Sequence, residues 1–165
     1  MLFRKWIERN NNKKIRYYDT LIDAVDKLND GDKSFVHIVF GGLGYGDPNL
    51  NRIIGRAIRA HLECYTMNEM IGLSELFRQY TSLEWSIDWE KISLKDIKTD
   101  LEQEKDYVYA LILGSFHPNG YFRERCIMEL GNYRDTLAFI VLRLNDWVGQ
   151  VQRCATEMTY YKIKT

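Results

Sequence analysis

The chain has 165 residues, enough for one domain with a sizeable core. Its 45% hydrophobic and 28% charged residues, with only two prolines and eleven glycines, are ordinary for a soluble globular protein and argue against a low-complexity linker. A formal net charge of zero argues against a dedicated nucleic-acid binder, although a local basic patch is still possible, and no apolar run approaches the roughly 20 residues of a membrane span.

The opening "MLFRKWIERNNNKK" carries charges within its apolar part and lacks a small-residue cleavage site, so it does not read as a signal peptide. Phe3, Trp6 and Ile7 predict a short amphipathic helix that Asn10–Lys14 breaks. Asp19 or Thr20 is then expected to cap a second helix carrying Leu21, Ile22, Val25 and Leu28, closed by "NDGD". "SFVHIVF" from Ser34 is a short apolar run, and periodicity alone does not separate a strand from a buried helix there. Its place at the head of a helical unit predicts helix for Ser34–Phe40.

Beyond Pro48, Leu50, Ile53, Ile54, Ala57, Ile58 and His61 share one helical face, and Arg52, Arg56 and Arg59 form a basic stripe on another. Met67 to Phe77 predicts a further helix, "TSLEWSIDWEKIS" a loop with a short turn, and Asp96–Glu104 a polar, helix-compatible stretch. "DYVYALILGSF", "GYFRERCIMEL", "TLAFIVLRL" and "WVGQVQRCATEMTYY" complete the chain.

Those four segments repeat. Arg125-Cys126 matches Arg153-Cys154, a register of 153 − 125 = 28 residues. Leu111, Ile112 and Leu113 then fall opposite Phe139, Ile140 and Val141, and the corner "SFHPNG" opposite "RLNDWV". Each unit reads as an apolar first helix, a tight corner and an amphipathic second helix. "FVHIVFGGLGYGDPNLNRIIGRAIRAHL" fits more loosely, with Pro48-Asn49 echoing Pro118-Asn119. A helical pair of this size buries its apolar faces only by stacking on another, which is the physics of a solenoid.

The run "HPNGYFRERCIMEL" followed by "LAFIVLRLNDWVGQVQRCA" resembles the HEAT-repeat family, in particular a bacterial subgroup. The resemblance covers about residues 105–160 and rests on Pro118, Asn119, Gly120, Tyr121, Arg123 and Glu124, then Arg143, Asn145, Asp146, Trp147, Val148 and Val151. Gln152 stands where the family has arginine, which gives that role to Arg153, and Cys126 stands where a small residue is common. The resemblance implies an all-α fold, a short α-solenoid of antiparallel helix pairs. Residues 1–165 then form a single helical-repeat domain: N-terminal helices over 1–32, a divergent repeat region over 33–104, and two HEAT-like units over 105–165. Such arrays act mostly as scaffolds, and a few helical-repeat relatives act on DNA.

Each chemical motif has a structural reading beside the functional one. "GGLGYGDPN" has neither the dinucleotide-binding glycine spacing nor a P-loop lysine, so Gly41, Gly42, Gly44 and Gly46 are expected to serve packing or a left-handed helix end. Arg52, Arg56 and Arg59 are the candidate binding residues, for phosphate or an acidic peptide, against a solvated face pairing with Glu63 or Asp47. Arg123, Arg125, Arg143 and Arg153 extend the stripe if the second helices line one face. Pro118, Asn119 and Gly120, with Asn145, Asp146 and Trp147, are structural corners: Asn145 or Asp146 caps the next helix and Trp147 covers the junction between units. His37, His61 and His117 are scattered without carboxylates at ligand spacing, so neither a metal nor a cofactor is expected, and no catalytic residue is assigned. Cys64, Cys126 and Cys154, odd in number and without a CxxC pair, point to reduced thiols and a cytoplasmic location, with Cys126 and Cys154 on buried faces.

The expected function is a non-enzymatic scaffold that binds another protein. The alternative is a nucleic-acid-binding or DNA-base-processing repeat protein with an arginine-lined face. A small-molecule enzyme around the glycine loop comes third and needs a strand at Ser34–Phe40. Val148, Val151, Ala155, Met158 and Tyr161 form an apolar stripe on the last helix, and Met158, Tyr160 and Tyr161 near its end leave it without a polar cap. This predicts either a longer natural protein or a homodimer through the C-terminal helix.

Overall fold

The computed structural model describes residues 2–81 and 87–164, with side chains described from residue 16 onward. Among these residues every regular element is a helix. The first, Leu2–Asn29 (α1), is continuous. The asparagine run does not break it: asparagine costs only some tenths of a kcal/mol more than alanine per helical position, and no glycine or proline interrupts the stretch. Asp19 and Thr20 therefore lie inside α1 and cap nothing; the Thr20 hydroxyl donates back to the Arg16 carbonyl at 2.9 Å. Leu21, Ala24, Val25 and Leu28 form its buried stripe. Its end follows the "NDGD" expectation: Gly31 N–H donates to the Leu28 carbonyl and Asp32 N–H to that of Lys27, both at 3.0 Å. The side chains of Phe3, Trp6 and Ile7 lie outside those described.

Ser34–Phe40 is helical, as a 3₁₀ turn over Lys33–Phe35 running into Val36–Gly41 (α2). The glycine-rich stretch continues as a 3₁₀ turn, Gly42–Tyr45, and leads into Pro48–Leu62 (α3). Gly46 sits at φ 67, where a side chain would be strained, and a Cβ on Gly42 would come within 2.5 Å of Ile54 Cδ1 and 2.7 Å of Leu21 Cδ2. Gly42 thus lets the 3₁₀ turn press between Leu21 of α1 and Ile54 of α3, a packing role for this part of the segment. Asp47 caps α3 by accepting the Asn49 and Leu50 N–H groups at 3.1 Å, and Pro48 occupies the first turn, where no N–H is needed.

Met67–Thr81 (α4) begins with a capping box: Thr66 N–H donates to Glu69 Oε2 at 2.7 Å and Glu69 N–H to Thr66 Oγ1 at 3.4 Å. Residues 82–86 of the expected loop lie outside the described residues; the rest of it brings Trp89 into the core. Ser93 then caps Leu94–Leu101 (α5), which ends earlier than the polar stretch Asp96–Glu104 suggests, because Glu102 takes φ 58 and turns the chain into Glu104–Gly114 (α6). Gly120–Leu130 (α7), Leu137–Val141 (α8) and Gly149–Lys164 (α9) follow.

The core runs without a break from α1 to α9. α3 packs on α1, α5 and α6, α6 on α7, and α7 on α9, with α8 closing against α9. Both second helices of the 28-residue repeat carry a buried cysteine at the matching position, Cys126 and Cys154. The first helices are unequal: α6 has 11 residues and α8 only 5. The residues before α8 turn instead, with Asp135 at φ 59 and the Thr136 hydroxyl donating to the carbonyls of Leu130 and Tyr133.

Candidate functional site

The two corners of the repeat meet through one side chain. Asn119 caps α7 by accepting the Phe122 N–H at 2.9 Å, which orients the first turn and sends Arg123 inward. Arg123 is fully buried, and its Nε and Nη2 donate to Asp146 Oδ2 and Oδ1 at 2.9 and 2.8 Å, a bidentate pair. Its Nη1 donates to the carbonyls of His117 and Pro118 at 2.5 and 3.2 Å. Asp146 Oδ1 also accepts the Val148 N–H at 3.0 Å, shaping the turn that leads into α9. The structure thus brings Pro118, Asn119 and Asp146 together around Arg123. Gly120 opens α7 beside Val148, and Asn145 is exposed.

Trp147 corrects the expectation. Its side chain is 68% exposed and does not fill a junction between units. Asp146 turns inward to Arg123, so its neighbour turns outward; the Trp147 ring lies over the Arg123 guanidinium at 5.4 Å, with its outer face in water.

A second arginine is drawn to the same place. Arg143 is only 6% exposed, its Nη1 lies 3.9 Å from Asp146 Oδ2, and its Nη2 donates to Ser74 Oγ on α4 at 3.2 Å. The guanidinium stands over the Phe116 ring at 5.2 Å, and Nε has no partner. Burial, with Arg78 nearby, lowers its pKa to about 10, which leaves it cationic at neutral pH. Arg78, one turn beyond Ser74 on α4, also has a buried Nε without a partner. Ser74 and Arg78 carried no signal in the sequence, because only the packing of α4 brings them to this corner.

His117 faces the other way, into an aromatic box. Its ring centroid lies 4.4 Å from Trp89 and 5.2 Å from Phe122, with Phe40 and Phe77 beyond. Nδ1 accepts the Asn119 N–H at 3.0 Å, so the neutral ring carries its proton on Nε2, which finds only aromatic faces. Burial first, and the Arg123 charge second, push its pKa down to about 3. His37 and His61 are half-buried, and desolvation lowers both. Among the described residues no three of His, Cys, Asp and Glu gather as a metal-binding group.

The basic stripe is largely spoken for. Arg52 pairs with Glu102 at 3.0 Å, and Arg59 Nη1 lies 3.0 Å from the buried Asp106 Oδ1, in a geometry too bent for a hydrogen bond. The partners come from α5–α6 and not from Glu63 or Asp47; Glu63 pairs with Lys105. Arg56 is exposed and makes no ion pair among the described residues. Nor do the other arginines extend the stripe. Arg123 and Arg143 are buried, Arg125 donates to the carbonyls of Trp89 and Ile92 at 2.7 Å, and Arg153 is exposed on α9.

Along the α7–α9 seam two adjoining grooves, of about 480 and 340 Å³, share Met128 and Met158. Leu94 and Tyr161 line the larger, while Glu124, Arg153 and Glu157 rim the smaller. Met128 is 52% exposed and Tyr161 51%, so apolar surface continues into the last turns of α9. Comparison with protein families, curated proteins and solved structures finds no significant match to this chain.

Proposed function

We propose that the chain is a non-enzymatic scaffold of HEAT-like helix pairs, stacked as a short solenoid, that docks another protein on the α7–α9 face. The observation that carries this is the methionine-lined groove along that seam. Methionine side chains adapt to varied apolar surfaces and recur at protein-binding grooves. The occupant is an amphipathic helix with a basic flank. Its apolar stripe fits Met128, Met158 and Leu94, and its cations complement Glu124 and Glu157 at the rim of the smaller groove, Glu129 being already paired with Lys98.

The nucleic-acid alternative draws little support from Arg52, Arg56 and Arg59, since two of the three already face carboxylates. The enzyme reading loses its premise with the helical Ser34–Phe40.

A photo-crosslinking side chain at Met128 tests the proposal in native extract. A protein adduct that Met158→Lys abolishes, in a variant that keeps its circular dichroism, supports it. An adduct that nuclease removes promotes the alternative, and an adduct with a second copy of the chain, matched by a dimer in sedimentation at micromolar concentration, makes the groove a homodimer surface. An adduct that Met158→Lys leaves untouched overturns the docking site.

A further inference from the structure

The corner around Asp146 holds more positive charge than it neutralises. Arg123 uses both carboxylate oxygens of Asp146. Arg143 is left 3.9 Å from that carboxylate, and among the described residues no other acid forms an ion pair with Arg78, Arg123 or Arg143. The partners Arg143 does have, the Ser74 hydroxyl and the Phe116 face, are neutral. A guanidinium removed from water with only a distant share in a carboxylate that another arginine already holds is costly, and the cost falls when a further anion completes the site.

We propose that Arg143, Arg78 and the Ser74 hydroxyl bind a phosphate monoester. Ser74 and Arg78 lie at i and i+4 on α4, so they share a face, and Arg143 reaches that face from the turn after α8. The Ser74 oxygen accepts from Arg143 and keeps its own O–H to donate. The unpartnered Nε atoms of Arg78 and Arg143 are further donors at this place. Three guanidinium groups against one carboxylate leave an excess of two charges, which matches the roughly −1.5 to −2 of a monoester at neutral pH. Depth favours a monoester over a nucleic-acid backbone. Arg143 is 6% exposed and Arg78 half-buried, so a terminal group enters where a diester flanked on both sides does not. The site shares no residue with the lining of the α7–α9 groove and stands independently of the protein-docking proposal.

The test is thermal unfolding of the full chain with inorganic phosphate against sodium chloride at matched ionic strength, with phosphoserine peptide and unphosphorylated peptide as further arms. Phosphate is expected to raise the Tm saturably, and chloride not. Arg78→Gln, at a half-exposed position that keeps the fold, should weaken the apparent affinity at least about tenfold, as expected for a lost charge-assisted contact. Arg143→Lys keeps the charge, loses the fork and should weaken it as well. A phosphopeptide that binds more tightly than phosphate, while its unphosphorylated form is silent, places the monoester on a protein; equal affinities place it on a small molecule. Equal effects of phosphate and chloride, an effect that survives Arg78→Gln, or an oligonucleotide without terminal phosphate binding more tightly than phosphate, each overturns the proposal. Loss of docking in Met158→Lys with phosphate binding intact separates the two proposals.

Discussion

Arg123 is the largest fully buried side chain among the described residues, and its pairing with Asp146 ties the two corners together. Removing one member strands the other in the interior. Asp146→Leu or Arg123→Met alone should each cost about 3–5 kcal/mol in urea denaturation, whereas the double replacement should cost clearly less than the sum. Equal additive losses would show that the pair is not coupled. Trp147 belongs to the opposite class. With one face on Arg123 and the other in water, Trp147→Ala should cost no more than about 1 kcal/mol, well below the loss typical of a buried aromatic. His117 makes stability depend on pH. Its pKa is depressed to about 3 in the folded protein and is ordinary in the unfolded chain, so the unfolded state binds the extra proton between those values. Stability should therefore fall as pH drops below about 6.5, by roughly 3 kcal/mol at pH 4 from this group. His117→Phe should flatten that slope in denaturation curves taken from pH 7 to pH 4; an unchanged slope assigns it elsewhere.

Helix ends decide where several elements begin and stop. Asp47 caps α3 and also accepts the Tyr18 hydroxyl, so one carboxylate joins α1 to the start of α3. Asp47→Ala should destabilise by about 1–2 kcal/mol, and Asp47→Asn, which still caps, by less. Equal losses in the two variants would place the effect in the charge and not in the cap. α8 illustrates the reverse case. Its apolar run suggests a helix as long as α6, yet only Ile140 of Phe139, Ile140 and Val141 is fully buried. The left-handed Asp135 and the Thr136 hydroxyl hold the preceding residues in a turn, and the helix starts late.

At the scale of the molecule, Arg59 couples α3 to α6 through Asp106. Arg59 is partly exposed and Asp106 buried, so Arg59→Ala should cost about 1–3 kcal/mol, chiefly by leaving a buried carboxylate without its cation. Arg56→Ala, which breaks no pair, should change stability by less than about 0.5 kcal/mol. A protein with a balanced overall charge and a stripe in which Arg52 and Arg59 already face carboxylates should bind duplex DNA negligibly near physiological salt. Fluorescence anisotropy checks this, and a micromolar Kd that weakens in Arg52→Ala/Arg56→Ala would contradict it.

What the sequence determined by itself was local. The periodicity of Leu50 to Ile58, the end of α1 at "NDGD" and the paired buried cysteines at a 28-residue spacing all rest on neighbours along the chain. The helical state of Ser34–Phe40 was expected only from reading it as the head of a helical unit, since an apolar run of that length suits a strand equally well. Tertiary structure decided where the arginines went. Asp146 lies 23 residues from Arg123, Ser74 lies 69 from Arg143, and Asp106 lies 47 from Arg59, so no short window of sequence contains these three contacts or the excess charge at the corner. The burial of a guanidinium depends on a carboxylate that only folding brings within reach, and the exposure of Trp147 depends on which of two adjacent side chains that pairing turns inward.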